Sequence, residues 1–491
     1  MKKRFLYISC FVAFTASTGC KKYLEKEPDN RAVLNTPEKV SQLLATAYPH
    51  ANYQTFAETM SDNVTDIGNG VVPDANSYNT IHDPYFYIDT RENQDDSPEF
   101  YWNACYAAIA AANQALETIS KAPDKTEYAA QKGEALVARA YAHFMLVTFF
   151  SKVYDAATAS SDPGIPYVKE PETVFIKQYD RKTVQYVYDE IEKDLLTGIP
   201  LIQDKEYAVP KYHFTLSAAY AFATRFYLFK KDYASVVQYG NLAVPNNNFA
   251  VNLRPWNTDY KNITDVTQLF QTYAKSTENA NLLLTETQST WARNYYITRY
   301  ALDPATQQQI IPRPDKVSGG IFSYALYSVF EGTHMLIPKI AEYFVRTSVN
   351  ADIGNAYVMV PLLTVEEVLF NRAEAYAYLG NTAAAIADLN TFISKRINNY
   401  SPSTNSVTAD KIKTVFQTSD LQKAVISAIL YYKRAEFVHE GMRWFDILRY
   451  KIPVVHTTAD GQVITLGPDD PRRVLQIPQA TSIVGLQQNP R

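Results

Sequence analysis

Cysteine and glycine are scarce in this chain. Only 3 of its 491 residues are cysteine and 16 are glycine. Cys10 falls in an apolar N-terminal run and Cys20 follows that run, which leaves Cys105 alone in the rest of the chain. The body of the protein therefore cannot form an internal disulfide, and it has no cysteine pair to hold a structural zinc ion.

The short motifs that mark common enzyme classes are also missing. The chain has no Gly-x-Ser-x-Gly, no glycine-rich phosphate-binding loop and no His-Glu-x-x-His. The seven histidines are scattered singly, and a lone histidine such as His143 on an apolar helix is usually a core residue. We therefore expect a protein that is not an enzyme and that uses no metal or other cofactor.

Basic residues are not in excess either. The 47 Lys and Arg against 51 Asp and Glu give a formal charge of −4, and removal of residues 1–19 takes three positive charges with it and leaves −7. Phosphates attract basic surfaces. We expect no nucleic-acid partner.

The N-terminus has the pattern of an export signal. Basic residues at positions 2–4 precede an apolar run over 5–14, which is shorter than the ~20 residues needed to cross a bilayer. Small residues then lead to Cys20. This pattern predicts a signal peptide over 1–19 with lipid on Cys20, and the charged, proline-broken residues 20–35 predict a tether.

Aromatic residues and helical periodicity are abundant. The chain contains 37 Tyr and 24 Phe, and 46% of its residues are hydrophobic, which is ample for a large core. Apolar residues recur at steps of three and four. They predict helices over 36–48, 100–120, 129–150, 183–197, 213–244 and 364–397.

Two of these segments resemble each other. Residues 227–237 align with residues 376–386 as a helix, a short turn and a second helix, with small residues where the helices would cross. A helix–turn–helix unit with small residues at the helix crossing is typical of tetratricopeptide repeats. We predict a mainly α fold with about four such helix pairs: 36–48 with 100–120, 129–150 with 183–197, and the pairs within 213–244 and 364–397.

Two stretches lack the helical period. Residues 49–97 mix acids, amides and aromatics, and residues 246–362 are rich in Asn, Pro, Thr and Tyr. A long irregular stretch is more often a functional insertion than a mere connection. We predict one body over 36–491, with its scaffold over 36–244 and 364–450 and an irregular ligand-binding insertion over 246–362 that contains strands at 268–273, 282–287 and 357–363.

The C-terminal part carries the clearest helical pattern. An apolar stripe runs from Ile426 through Leu430, Phe437 and Trp444 to Leu448 and predicts one amphipathic helix with Trp444 in the core. On its flank, acids and bases alternate at steps of three, which favours salt bridges between successive turns. These residues are Glu440, Arg443, Asp446 and Arg449.

The sequence of this predicted helix resembles that of a known family. Lys433-Arg434-x-Glu436-Phe437 followed by Glu440-Gly441-x-Arg443-Trp444-Phe445-Asp446 is similar to the SusD/RagB lipoproteins of Bacteroidetes. Residues 133–144, residues 473–478 and Gln488-Asn489-Pro490 are similar to the same family. The resemblance runs from Cys20 to the C-terminus.

The resemblance implies a function. Members of this family are non-enzymatic lipoproteins of the cell outer membrane, exposed at the surface, which sit over a SusC-like TonB-dependent transporter. They deliver oligosaccharides or, in some members, peptides. We therefore expect such a transporter as partner, an oligosaccharide or peptide as ligand, and the outer membrane as location.

Candidate ligand-binding residues lie on the irregular stretches. Sugar rings have apolar faces edged by hydroxyls, so a binder pairs aromatic rings with amides, carboxylates or arginine. The candidates are Tyr78, Tyr85, Tyr87, Asp89 and Arg91 in one group and Trp291, Arg293, Tyr295 and Tyr296 in another. Trp102, with Asn103 beside it, is added because its position resembles one from which family members present an aromatic ring to glycan.

Other interpretations remain open at this point. Each aromatic candidate taken singly can instead be a core residue. The chain can also be a periplasm-facing repeat scaffold that binds protein partners and no nutrient, or an enzyme without a familiar motif. Protease treatment of intact cells distinguishes the periplasm-facing scaffold from a nutrient-capturing protein, because only a protein exposed at the cell surface is cut.

Overall fold

The computed structural model describes residues 34–68, 70, 75–90, 93–174 and 176–491, and of residues 75–77 only the backbone. The predicted signal peptide, Cys20 and Arg91 lie outside the described residues. Within the described ranges, no helix combines the length and the apolar character needed to cross a membrane.

The first half of the chain is almost entirely helical. Polar caps set the starts of its longer helices, because Thr36, Ser97, Thr183 and Thr215 each accept a hydrogen bond from the backbone N–H three residues later. The helices are α1 (Pro37–Leu44), α2 (Gln54–Thr59), α3 (Ala75–Tyr85), α4 (Pro98–Lys121), α5 (Ala129–Phe150), α6 (Val184–Gly198), α7 (Leu216–Lys230) and α8 (Tyr233–Ala243).

The second half mixes helices with short strands. Its helices are α9 (Phe249–Asn252), α10 (Val266–Tyr273), α11 (Trp291–Asn294), α12 (Pro304–Ile310), α13 (Val365–Tyr378), α14 (Thr382–Ile393), α15 (Pro402–Asn405), α16 (Ala409–Val415), α17 (Leu421–Glu436) and α18 (Met442–Arg449). The mainly α fold predicted from the sequence is confirmed.

Nine short strands occur in the described part of the chain. They are β1 (Thr65–Asp66), β2 (Asn281–Gln288), β3 (Tyr300–Ala301), β4 (Tyr327–Val329), β5 (His334–Leu336), β6 (Glu342–Arg346), β7 (Gly354–Thr364), β8 (Val454–Thr457) and β9 (Val463–Leu466). The pairings between these strands are antiparallel, in a three-stranded sheet of order β2-β7-β6 and in the pairs β1-β3, β4-β5 and β8-β9.

Helices α4, α5 and α6 pack successively on one another. Glycine sets the contact between α5 and α6, because a Cβ on Gly133 would lie 2.9 Å from the carbonyl oxygen of Gly198, and a Cβ on Gly198 would lie 2.9 Å from that of Gly133. Helix α1 contacts both α4 and α5. The predicted contact of 36–48 with 100–120 is therefore present, but α1 is shared with α5, which is the main partner of α4.

The two helix pairs predicted from internal similarity are confirmed as pairs. Helix α7 packs on α8 and α13 packs on α14, and α8 and α13 then join the two pairs. A Cβ on Gly240 in α8 would lie 3.3 Å from the side chain of Arg372 in α13. The small residue at this position lets the two helices approach closely.

The irregular stretches contain more helix than the sequence predicted. The strand predicted at 268–273 is wrong, because these residues belong to α10, whose cap Asp265 accepts a hydrogen bond from Thr267 N–H and whose Leu269 and Tyr273 are buried one turn apart. The strands predicted at 282–287 and 357–363 are confirmed as β2 and β7. Residues 49–97 contain α2 and α3.

The single C-terminal helix predicted from Ile426 to Leu448 is broken between Glu436 and Met442. His439 and Gly441 have positive φ angles of 75° and 70°. Their N–H groups donate to the two carboxylate oxygens of Glu58 at 2.7 and 2.9 Å. Trp444 is buried as predicted, whereas Ile426 and Leu430 are only partly buried.

Charged residues near this break bind partners on other elements. Glu440 pairs with Lys339 and Arg443 with Asp62, Asp446 pairs with Lys433, and Arg449 pairs with Glu374. Of the predicted bridges between successive turns, only Arg449 to Asp446 forms, at 3.3 Å. The alternating acidic and basic residues therefore form mainly buried ion pairs with other elements, and few pairs between successive turns of one helix.

A buried ion network joins distant parts of the chain. Arg396 contacts Glu366 and Glu436, and Glu366 also contacts Arg254, all with side chains that are 0% exposed. A charge left without its partner at such a depth costs several kcal/mol, by a general estimate of about 3–5 kcal/mol. The network thus ties α13, α17 and the segment after α9 into one core.

Candidate ligand-binding surface

Two tyrosines of the first group of predicted residues are buried. The ring of Tyr85 lies between those of Tyr300 and His456, with centroid distances of 4.4 and 4.2 Å. Tyr87 packs on His456 and Trp444. We expected both tyrosines on an exposed loop, and the structure corrects this, because Tyr85 ends α3 facing the core and Tyr87 follows it inward. Asp89 is exposed.

Trp102 is also almost fully buried. Its ring meets Phe150 edge-on at 4.8 Å and Tyr106 at 5.0 Å. It lines an apolar cleft of about 240 Å³ together with Tyr106, Ile109 and Leu486. Asn103, the next residue on α4, is exposed. Trp102 therefore offers little ring surface to a ligand in this conformation.

The second predicted group divides into core and surface. Trp291 and Tyr295 are each 1% exposed, and their side chains donate to the carbonyl oxygens of His439 at 3.1 Å and Ile337 at 3.2 Å. Their assignment to an exposed loop is corrected, because α11 places both rings against the inner segments. Tyr296 is partly exposed, and the exposed Arg293 forms an ion pair with Glu342.

A ladder of partly exposed rings lies on one side of α3. Tyr78 stacks on His82 at 5.1 Å and 29°, and His82 stacks on Phe86 at 4.6 Å and 24°. The spacing of four residues places the three rings on one helix face. We call these three residues, with Arg299 beside them, the aromatic surface.

Arg299 is fixed at the edge of the aromatic surface. Its guanidinium donates to both carboxylate oxygens of Asp66 at 2.6 and 2.7 Å, while its side chain stays 39% exposed. Burial alone would raise the pKa of Asp66, but hydrogen bonds from Arg299, Ala459 and Gly68 outweigh burial and lower that pKa. The carboxylate therefore stays ionised and holds the guanidinium in place.

The aromatic surface joins the two stretches on which the candidates were predicted. Strand β1 pairs with β3, so Asp66 faces Tyr300 across the ladder. The pKa of Tyr300 is raised, first by burial and then by its hydrogen bond with Tyr78. The first stretch and the region just after Tyr296 thus meet through the pairing of β1 with β3 and the contact of Tyr78 with Tyr300.

A second feature lies at the other side of α3. A cavity of about 550 Å³, which we call the tail cavity, opens between the end of α3, the start of α4 and the C-terminal segment. Asp89 and Arg491 form an ion pair at its wall, and burial raises the pKa of Glu99 there. Its polar lining includes Tyr87, Asp89, Glu99, Arg472, Gln476, Gln479, Gln488 and Arg491.

Sequence reasoning missed several of these residues. His82 and Arg299 were not selected, although the spacing of Tyr78, His82 and Phe86 at steps of four was visible in the sequence. Arg472 and Arg491 had no local signal, because their proximity to Asp89 depends on the folded C-terminal segment. The described residues contain no group of three or more side chains arranged to hold a metal ion.

Comparison with known proteins agrees with this architecture. Residues 22–228 match the family described as starch-binding associating with outer membrane, and residues 342–467 match the SusD family. The chain belongs to the SusD/RagB family. None of the curated proteins compared with it gives a significant match.

Solved SusD-type structures are similar to this chain along nearly its whole length. A SusD superfamily protein from Bacteroides thetaiotaomicron has 19% identity and a TM-score of 0.66, with 93% of this chain and 100% of that chain covered. A SusD-like carbohydrate binding protein from Bacteroides vulgatus has 14% identity and a TM-score of 0.64, with coverage of 92% and 96%. A laminarin binding SusD-like protein has 16% identity and a TM-score of 0.61, with coverage of 93% and 99%. At these identities the similarity establishes a SusD-like fold.

Proposed function

We propose that this protein is a non-enzymatic lipoprotein of the outer membrane that binds an oligosaccharide and passes it to a SusC-like TonB-dependent transporter. Membership in the SusD/RagB family supports the role, and the lipobox-like pattern ending at Cys20 supports the anchor. Residues 20–35 would then serve as the tether between the lipid and the folded body.

The observation that carries glycan binding is the aromatic surface. Three stacked rings remain partly open to solvent, and the buried carboxylate of Asp66 fixes the exposed Arg299 guanidinium at their edge. A sugar ring can place its apolar face on an open ring and its hydroxyls on the guanidinium. Because Tyr78 and His82 are already held in a stack, binding would cost little side-chain ordering.

Binding measurements on matched variants test this assignment. Laminarin and soluble starch are suitable first probes, because similar proteins are described as binding them. A ring stacked on a sugar contributes about 1 kcal/mol, so Tyr78→Ala should weaken glycan binding about five- to tenfold in calorimetric titration. His82 lies between Tyr78 and Phe86, so His82→Ala should also weaken binding, by removing the ring on which Tyr78 stacks. Arg472→Gln, in the tail cavity, serves as the control and should leave binding unchanged.

The opposite pattern of effects on affinity would assign the ligand to the tail cavity. If Arg472→Gln lowers affinity while Tyr78→Ala does not, the ligand occupies the tail cavity. Binding of a tryptic peptide mixture but of neither glycan would support a peptide-capturing member of the family, which is the principal alternative. Hydrolysis of either glycan by the purified protein would contradict a non-enzymatic role.

A further inference from the structure

Strand β6 lies at the open edge of the three-stranded sheet. It pairs with β7 on one side and, within the described chain, with no strand on the other. Its sequence is Glu342-Tyr-Phe-Val-Arg346, and its three central side chains are 38%, 47% and 48% exposed. Exposed apolar residues continue beyond the strand at Val349 and Ile353.

Edge strands of this kind are usually protected from other chains. Lysine, proline or a bulge commonly blocks pairing at an open edge. Strand β6 contains neither lysine nor proline and carries charges only at its ends, and its register with β7 is unbroken from Glu342 to Arg346. Its edge thus presents three exposed apolar side chains without a bulge, which leaves it able to accept an additional strand.

The sequence of β6 is complementary to itself. Two copies of β6 can be related by a two-fold axis perpendicular to the sheet, which keeps equivalent side chains on the same face of the joined sheet. If this axis passes beside Phe344, then Phe344 lies opposite Phe344 of the second copy. The same register places Tyr343 opposite Val345 and Glu342 opposite Arg346 at both ends. Opposite charges and aromatic or β-branched pairs are the combinations that stabilise facing strands.

We propose that β6 is a self-association surface through which two copies of this chain join their sheets antiparallel, centred on Phe344. The contact is isologous, as expected for a two-fold dimer. It would form a continuous six-stranded sheet of order β2-β7-β6 followed by β6-β7-β2 of the second copy. The complementarity of β6 with itself favours a second copy as the occupant of the edge. The charges also fix the register, because a shift by two residues in either direction removes both Glu342 to Arg346 pairs.

Sedimentation equilibrium of the protein without its signal peptide tests the proposal. The protein should shift from monomer to dimer between about 1 and 500 µM by mass action. Val345→Lys should weaken the dimer about tenfold or more, because it removes an apolar partner of Tyr343 and adds a charge at the edge. Val455→Lys is the matched control: Val455 is also an exposed strand valine, on β8, and its substitution should leave the dimer intact.

Charge reversal gives a second, sharper test. Arg346→Glu and Glu342→Arg each place like charges opposite one another at both ends of the contact, so each variant alone should remain monomeric. A mixture of the two should form heterodimers, because every facing pair is then of opposite sign. Thermal unfolding of each variant controls for the intramolecular pair of Arg293 with Glu342.

Three results would overturn the proposal. The first is a protein that stays monomeric over the whole concentration range. The second is equal weakening by Val345→Lys and Val455→Lys. The third is a mixture of the charge variants that forms no heterodimer, which would exclude the pairing centred on Phe344.

Discussion

Trp291 shows how a single indole connects distant parts of the chain. Its N–H donates to the carbonyl oxygen of His439, 148 positions later, and its ring is 1% exposed. Removal of so large a buried side chain leaves a cavity, so Trp291→Ala should lower the free energy of unfolding by about 3–5 kcal/mol. Chemical denaturation monitored by circular dichroism measures this loss.

Tyr296 provides the comparison for Trp291. It lies one turn further along and is partly exposed, so Tyr296→Ala should cost less than about 1 kcal/mol. Equal losses for the two variants would contradict the division of this group into core and surface residues.

Glu58 makes the stability depend on pH in a definite direction. Burial raises its pKa from 4.5 to about 6, against hydrogen bonds from His439, Asn63 and Gly441 that lower it. Between about pH 4.5 and 6 the folded state therefore binds more protons at Glu58 than the unfolded state does. This contribution to stability is present below pH 4.5 and is lost as pH rises through about 6.

Comparison with Glu58→Gln isolates that contribution. Relative to the variant, the wild type should lose about 2 kcal/mol of unfolding free energy in total from well below pH 4.5 to well above pH 6, and roughly two thirds of it between these two values, from about 1.36 kcal/mol per pKa unit. Asp96, whose pKa burial also raises to about 6, is present in both proteins and cancels in the difference. Parallel pH profiles for the two proteins would show that the pKa of Glu58 is the same in the folded and unfolded states.

At the scale of elements, the break between α17 and α18 depends on Gly441. Its φ angle is +70°, a backbone conformation that residues other than glycine adopt at a cost of about 1 kcal/mol. A Cβ at this position would also lie 3.0 Å from both the Cβ of Ala57 and the Cα of Gln54. Gly441→Ala should therefore destabilise the protein by about 2 kcal/mol or more.

Gly461 separates the two causes. Its φ angle is +89°, but a Cβ there would meet nothing within 4 Å. Gly461→Ala should show only the backbone strain of about 1 kcal/mol. If thermal unfolding gives the same loss for both alanine variants, the close approach of Gly441 to α2 contributes nothing.

The sequence predicts some elements closely and others poorly, for identifiable reasons. Helices α4 and α5 fall within two residues of the predicted 100–120 and 129–150, because long periodic segments leave no competing pattern. Residues 268–273 were assigned to a strand because a short apolar run fits either structure. In the structure these residues form a helix, which is stabilised by the cap at Asp265 and by the burial of Leu269 and Tyr273.

The exposure of the candidate residues could be predicted from the sequence only in part. Aromatic residues on two stretches predict where a ligand could bind, which stays a prediction, and β1 and β3 join those stretches. Which rings face solvent depends on partners such as His456 for Tyr85 and His439 for Trp291, hundreds of positions away along the chain in the first case. Composition along one stretch carries no information about these partners.

At the scale of the whole molecule, the buried ion network predicts one cooperative body. Arg254, Glu366, Arg396 and Glu436 come from the insertion, α13, the segment after α14 and α17. A fragment of residues 246–362 would contain Arg254 without either carboxylate. Limited proteolysis should therefore cut exposed loops first and release no stable fragment over 246–362, which mass spectrometry would detect if it existed.

The lipid anchor is a second prediction at this scale. Cys20→Ala removes the thiol that would carry the lipid, so the variant should appear in the soluble fraction after cell lysis while the wild type sediments with membranes. Ser17→Ala changes a neighbouring residue of the same segment and should leave the protein in the membrane fraction. A Cys20→Ala protein that stays with membranes after a high-salt wash would exclude lipidation as the anchor.

The carboxylate of Glu58 has a consequence for how the chain reaches its final shape. A ribosome makes Glu58 before His439 and Gly441, which lie 381 and 383 positions later. Until that distant segment has emerged, the carboxylate has no backbone N–H groups from it and must stay in water. Helix α2 can therefore settle into its buried position only after nearly the entire polypeptide has been synthesised.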